Sequence, residues 1–219
     1  MATLKHIRSK NANYSAAIDY LLFQHDEGTM KPVLDDMGRK LLRDEFFMDG
    51  INCEPLSFDK DCEMTNKQYR KNHNRNEIKS HHFIISFDPL DAMECGLTGE
   101  RAQALCLEFA KKNFPGFQAL VVTHTDGHNA SGNIHTHIVI NSVRKHTVER
   151  MPYMDQPHDH EAGYKHRNTP NFLIYLQKEV MKMCEKEGLH QIDLFSPAAK
   201  KITQEEYMTQ RHGQENLDR

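Results

Sequence analysis

Residues capable of metal-binding or acid–base chemistry crowd into one stretch, Val121–Asn141 (VVTHTDGHNASGNIHTHIVIN), among them His124, Asp126, His135 and His137. A neutral imidazole offers one ring nitrogen to a divalent cation, and three imidazoles held on rigid strands suit such an ion. The spacing supports that reading. Ile134, Thr136, Ile138 and Ile140 alternate with His135, His137, Val139 and Asn141, which is the period of a β-strand, so His135 and His137 project from one face. Gln118 to His124 reads as another strand. The link Thr125 to Asn133 carries Asp126-Gly127 and Ser131-Gly132, which suit a hairpin with a long loop. Antiparallel pairing then brings His124 towards His135 and His137. Asp126 is available to orient an imidazole or to move a proton, and His128 is a second choice as third ligand. With 15 histidines in the chain, some His-x-His pairs arise by chance; His158 and His160, near Pro157 and Gly163, read as surface residues.

The elements that must hold these residues follow from pattern and punctuation. Thr3 to Ile7 reads as a short strand. Ser15 is a helix cap for Ala16 to Gln24, a helix containing Tyr20 and preceded by Tyr14. His25 to Glu63 is polar, punctuated by Gly28, Pro32, Gly38 and Gly50, and reads as an insertion with one short helix, Lys40 to Phe47; Cys53 to Glu63 has no assignable pattern. His81 to Phe87 is a strand ended by Asp88-Pro89, with Phe83, Ile85 and Phe87 on one face and His82, Ile84 and Ser86 on the other. One of His81 and His82 is expected at the site. Thr98 caps a helix to about Asn113, whose apolar stripe is Ala102, Leu105, Cys106 and Phe109. Val143 to Arg167 reads as a long loop, Thr169-Pro170 opens a helix that Gly188 ends, and Gln204 to Asp218 is a polar, helical tail. The order predicts an α/β sandwich with helices on one sheet face and the histidines on the other, uncovered face.

A chain of 219 residues fits one substantial domain. Mean hydropathy is -0.74 and charged residues make up 27%, so the surface is very polar. No apolar run approaches the roughly 18–20 residues that span a membrane, and no secretory leader opens the sequence; the expectation is a soluble, cytosolic protein with no membrane insertion. The five cysteines share no CxxC spacing and are expected to be reduced thiols. The net charge of -3 argues mildly against nucleic acid as a partner. Its distribution argues the other way: Lys67 to Lys79 is basic, and Arg144, Lys145, Lys165 and Arg167 follow the histidine strand as candidate phosphate contacts.

Three motifs in order carry a family resemblance. HTDGHNASGNIHTHIVIN resembles the third motif of relaxases, the mobilisation nucleases of plasmids and integrative conjugative elements, which belong to the His-hydrophobe-His endonucleases; here Thr136 stands between His135 and His137. AAIDYLLFQHDE resembles the motif bearing the nucleophilic tyrosine in MOBP-like members, and SHHFIISFDP resembles their strand before the first long helix. The match runs from about Met1 to Leu194. It implies an α/β domain over 1–200, with an insertion near 26–66 and a polar tail or linker over 201–219. The domain would have a central, mainly antiparallel five-stranded sheet, with helices packed on one face and the metal site on the other. It implies cytoplasmic, bacterial nicking of single-stranded or hairpin DNA at an origin of transfer. Tyr20 is the nucleophile that would form a 5′-phosphotyrosine, Asp126 the acidic catalytic residue, and His124, His135 and His137 the ligands of a divalent metal. Manganese or magnesium is the expected ion, with zinc or nickel as alternatives, since imidazoles suit ions softer than magnesium. Expected partners are an accessory DNA-binding protein and the coupling and secretion machinery. Without the resemblance the residues also fit a three-histidine metallohydrolase of a small substrate, or a non-enzymatic single-stranded nucleic-acid-binding module. In the first of these Tyr20 is uninvolved. Tyr14 is the fallback nucleophile in the relaxase reading.

Overall fold

The computed structural model describes residues 1–11, 13–26, 29, 31–126 and 133–196. The glycine turns proposed between the histidine strands, His128 and the polar tail from 201 onwards lie outside the described residues. The elements run β1 (Thr3–Ser9), α1 (Ser15–Leu22), β2 (Phe46–Ile51), α2 (Phe58–Gln68), β3 (Ser80–Ser86), α3 (Pro89–Glu94), α4 (Gly99–Asn113), β4 (Phe117–His124), β5 (His135–Arg144) and α5 (Pro170–Lys186). The five strands form one sheet in the order β1-β3-β5-β4-β2, and every neighbouring pair is antiparallel. The expected five-stranded antiparallel sheet is therefore present. β4 and β5 occupy its centre and are buried along almost their whole length, as strands covered on both faces must be.

The alternation read from the sequence sorts the two faces. Phe83, Ile85, Ala119, Val121, Ile138 and Ile140 enter one core with α4 and α5. Leu120, Val122 and Val139 enter a second core with Tyr14, which precedes α1, with Leu21 of α1 and with Phe58 and Cys62 of α2. The second face is thus not left bare, as the helix count from the sequence suggested. α1 and α2 are short and cover only part of it, because their apolar residues lie against the middle of β4 and β5. The histidines sit at the edge of that cover.

Local chemistry explains where the long helices start. Thr98 accepts a hydrogen bond from Arg101 N–H at 3.2 Å to cap α4, and Thr169 accepts from Phe172 N–H at 3.2 Å with Pro170 following, the cap-then-proline arrangement expected. α3, which the sequence reading missed, opens on a reciprocal box between Asp88 and Asp91, each side chain taking the other's backbone N–H. At α1 the cap differs from expectation: Ser15 is already helical, and Asn13 Oδ1 accepts its N–H at 3.0 Å.

The segment read as an insertion contributes to the domain. Phe46–Ile51 is the edge strand β2, with Phe46 opposite His124 and Phe47 opposite Thr123, not the end of a helix over Lys40 to Phe47. The apolar pairs Leu41-Leu42 and Phe46-Phe47 mimic helical spacing over so short a run; the open edge of β4 decides the matter by supplying backbone partners. The previously unassigned Cys53 to Glu63 supplies a short 3-10 turn and the start of α2. No helix among the described residues is long and apolar enough to cross a membrane.

Candidate active site

Register brings the three histidines together. His124, the last residue of β4, lies opposite His135, the first residue of β5, and Val122 lies opposite His137. The rings stand 5.2 Å (His124–His135), 4.9 Å (His124–His137) and 4.9 Å (His135–His137) apart. One nitrogen from each falls within 4.8 Å of the others, a spacing that one ion can bridge.

Each imidazole is held through a nitrogen. His124 Nε2 donates to the Leu21 carbonyl at 2.7 Å, His135 Nδ1 donates to the Asn133 carbonyl at 3.0 Å, and His137 Nδ1 lies 2.8 Å from His82 Nε2. Fixing one nitrogen as donor leaves the other as a lone pair, the usual way a protein sets a histidine tautomer for ligation. The sequence reading gave that orienting role to Asp126. Backbone carbonyls and His82 perform it instead. Leu21 matters here because it is fully buried; burying such a side chain stabilises by roughly 2 kcal/mol and so pins the carbonyl that aims His124.

The donor set fits a divalent ion. His124 Nδ1 is buried with no partner, an arrangement that costs about 1–3 kcal/mol unless something takes the lone pair. Burial, helped by the nearby Arg43 charge, pulls the His124 pKa down to about 3. Burial and the surrounding histidines push His137 well below its ordinary value. Both therefore present neutral, unprotonated nitrogens at neutral pH. A second converging group, Asp91, Cys95 and His190, is accounted for as a clamp. Asp91 Oδ1 accepts from His190 N–H at 2.7 Å and from Nδ1 at 2.8 Å, tying α3 to the segment after α5.

The two candidate tyrosines separate cleanly. α1 lies along the sheet with Tyr14 at one end and Tyr20 near the other. The Tyr20 ring stands edge-on to His137 at 6.1 Å and beside His25 at 5.4 Å. Tyr14 is 4% exposed, donates to the Lys79 carbonyl at 2.9 Å and accepts from Asn66 at 2.8 Å. Burial raises its pKa far above the ordinary phenol value. That hydroxyl is a buried structural node at the Asn141 end of β5, away from the triad.

The remaining predicted residues divide. Asp126 is close to the triad, but its carboxylate meets Arg43 Nη1 at 2.6 Å. Arg144 is corrected from phosphate contact to core residue: it is 3% exposed, donates to the Pro115 carbonyl and stacks 4.1 Å from the Phe117 ring. Lys145 reaches the Asn52 carbonyl at 2.7 Å, Lys165 pairs with Glu77 at 3.3 Å, and Arg167 is exposed. Ten-residue β5 puts Arg144 and Lys145 roughly 30 Å from His135, so these cations do not surround the triad. Sequence reasoning missed Arg43 outright, because it lies between the isolated bridge at Leu42 and the start of β2, with no periodicity to mark it.

Comparison with known proteins places these residues in context. Residues 33–189 match the family model described as relaxase, MobA/VirD2-like, nuclease domain. Two curated Staphylococcus aureus proteins, each called Protein rlx, are similar: one is 30% identical over 142 residues, covering 64% of this chain and 35% of its own. The other is 31% identical over 140 residues, covering 64% and 36%. The aligned part thus spans about a third of the length of these relatives. A solved structure described as the molecular basis of vancomycin resistance transfer in Staphylococcus aureus overlays with a TM-score of 0.49 at 14% identity, covering 87% of this chain and 96% of that one.

Proposed function

The chain belongs to the MobA/VirD2-like relaxase nuclease-domain family, and on that premise we propose that it cuts one DNA strand at an origin of transfer, with Tyr20 as nucleophile beside a divalent metal held by His124, His135 and His137. The observation that carries the reading is the position of Tyr20, whose ring stands edge-on to His137 while Tyr14 is locked into the fold.

The roles follow from chemistry. Tyr20 Oη attacks phosphorus, an Oη–P bond forms and the P–O3′ bond breaks, giving a 5′-phosphotyrosine and a 3′-hydroxyl protonated from water. His25 stands beside the phenol with Nδ1 bonded to the Phe23 carbonyl at 2.9 Å, which leaves Nε2 as the lone pair that would take the phenolic proton. When bound, a divalent ion supplies a Lewis acid that draws charge from the phosphate oxygens. Neutral imidazoles leave that ion's charge undiminished, which favours an anionic substrate. Manganese suits this donor set better than magnesium, with zinc or nickel as alternatives. The covalent link conserves the energy of the diester, so the strand can be rejoined without ATP. An accessory DNA-binding protein and the coupling and secretion machinery are the proposed partners.

The test uses single-stranded oligonucleotides tiled across the DNA flanking the gene, incubated with the protein and Mn2+. A denaturation-resistant protein–DNA adduct is expected from the wild type and absent from Tyr20→Phe. An adduct that survives Tyr20→Phe and disappears in Tyr14→Phe would sink the nucleophile assignment. Turnover of a small phosphoester with no adduct would support the metallohydrolase reading instead.

A further inference from the structure

Arg43 is the charged group at this site that neither the triad nor the tyrosine gives a task. Its backbone N–H donates to the Leu22 carbonyl at 2.9 Å, one residue from the carbonyl that holds His124. Only 10% of its side chain is exposed. Nη1 donates to Asp126 Oδ2 at 2.6 Å, whereas Nε is enclosed without a partner.

A guanidinium fixed beside a cation site is electrostatically costly unless anions lie against both. The triad imidazoles contribute no negative charge, and Asp126 contributes one. A divalent ion and a guanidinium set against the Asp126 carboxylate leave a positive excess that an incoming anion relieves. The planar, permanently charged fork of arginine matches phosphate oxygens better than an ammonium does. We propose that Arg43 is a second cationic contact for the scissile phosphodiester, aimed by Asp126 and acting beside the metal ion of the histidine triad. This rests on the strand-cleavage reading above. Arg43 donates N–H to a non-bridging oxygen and exchanges no proton; as Oη–P forms and P–O3′ breaks, it stabilises the charge building on that oxygen. Asp126 is then a positioning residue.

Two readouts that move in opposite directions test the assignment. Arg43→Gln removes a charge that repels the metal, so Mn2+ binds the metal-free protein as tightly as before or a few-fold more tightly. Adduct formation at saturating Mn2+ slows by on the order of 100-fold. Mn2+ binding and adduct formation falling together indicate a structural residue and overturn the proposal, as does unchanged adduct formation. Arg43→Lys guards against a neutral variant that does not fold: it keeps the charge without the fork, with Mn2+ binding retained and cleavage slowed by about 10-fold. Loss of Mn2+ binding there overturns the proposal as well. In a Tyr20→Phe background, Arg43→Gln weakens binding of the cleavable oligonucleotide but not of the same oligonucleotide with a neutral methylphosphonate at the scissile position; an equal loss for both overturns it. Failure of the wild type to form any adduct is read before any variant, and it sinks the cleavage reading and this inference with it.

Discussion

His81 and His82 are adjacent in sequence and belong to different histidine clusters on opposite faces of the sheet. His82 faces α1 and α2 and meets His137 at 2.8 Å. His81 faces α4 and α5, where its Nδ1 lies 3.0 Å from His6 Nε2 and its ring stands 4.9 Å from His166. That second cluster is packed among Phe83, Phe114, Phe117 and Phe172. Burial lowers the histidine pKa values in both: to about 4 at His82 and about 3 at His81, with His137 and His166 also well below the ordinary range. Neutrality and burial therefore do not distinguish a metal site. Convergence of imidazoles does, and among the described residues His124, His135 and His137 form the one converging group built of three histidines.

The strongest way to break this distinction is to remove a converging ring. His124→Ala is expected to lower Mn2+ affinity by more than the roughly 10–100-fold typical of losing a residue that only orients a ligand, and to abolish the DNA adduct. Calorimetric titration of the metal-free protein measures the first effect and a denaturing gel the second. Wild-type Mn2+ affinity in His124→Ala would remove the triad from the metal reading. His82→Gln sharpens the comparison, because it takes away the partner of His137 and not a ligand. A loss within that 10–100-fold range is expected, against none for His81→Gln, its neighbour on the other face. Equal effects at the two positions would mean that both clusters work through general stability.

How far these contrasts could be read from the chain depends on the kind of signal. Alternation along Ile134–Asn141 showed that His135 and His137 share a face, since a strand has a period of two and no side chain can escape it. The same rule separated His81 from His82, yet it could not say which face carried the metal site. That depends on register between β3 and β5, in which Ile84 lies opposite His137. Tyr20 was singled out through the order of motifs, because a tyrosine on a short amphipathic helix looks like packing, which is what Tyr14 proves to be. Arg43 left no trace, as its position arises from isolated backbone bridges and an ion pair with a residue far along the chain. Phe46–Ile51 was misread because an edge strand of six residues is too short for periodicity to outweigh two apolar pairs.

Acid titration should divide the clusters by energy. His81 has an ordinary unfolded pKa of 6.5 and a folded value of about 3, so between those values the unfolded chain binds a proton that the folded one refuses. Stability contributed by the neutral, buried ring is therefore complete above pH 6.5 and is lost as pH falls towards 3. Each such group steepens the dependence by up to about 1.4 kcal/mol per pH unit. Thermal melts at saturating metal between pH 7 and 4 are expected to fall less steeply for His81→Gln than for the wild type. An identical slope would show that His81 takes up its proton without unfolding.

The smallest expected effect separates two arginines that the sequence grouped as phosphate contacts. Arg167 is exposed, and removing an exposed cation that touches a phosphate lowers the salt dependence of DNA binding by about one unit of slope while changing stability by roughly 0.5 kcal/mol or less. Arg144 is enclosed against Phe117 and the Pro115 carbonyl. Burial brings its pKa down to about 10, which leaves it charged at neutral pH but with no face towards a strand of DNA. Arg144→Ala should therefore leave the salt slope unchanged and lower the melting temperature, because it strips the guanidinium stack and leaves a carbonyl without its donor. Filter binding at a series of salt concentrations, alongside melts of the same preparations, distinguishes the two. A reduced slope for Arg144→Ala with normal stability would return that residue to the DNA-facing set, and would mean that the β5 terminus opens when DNA binds.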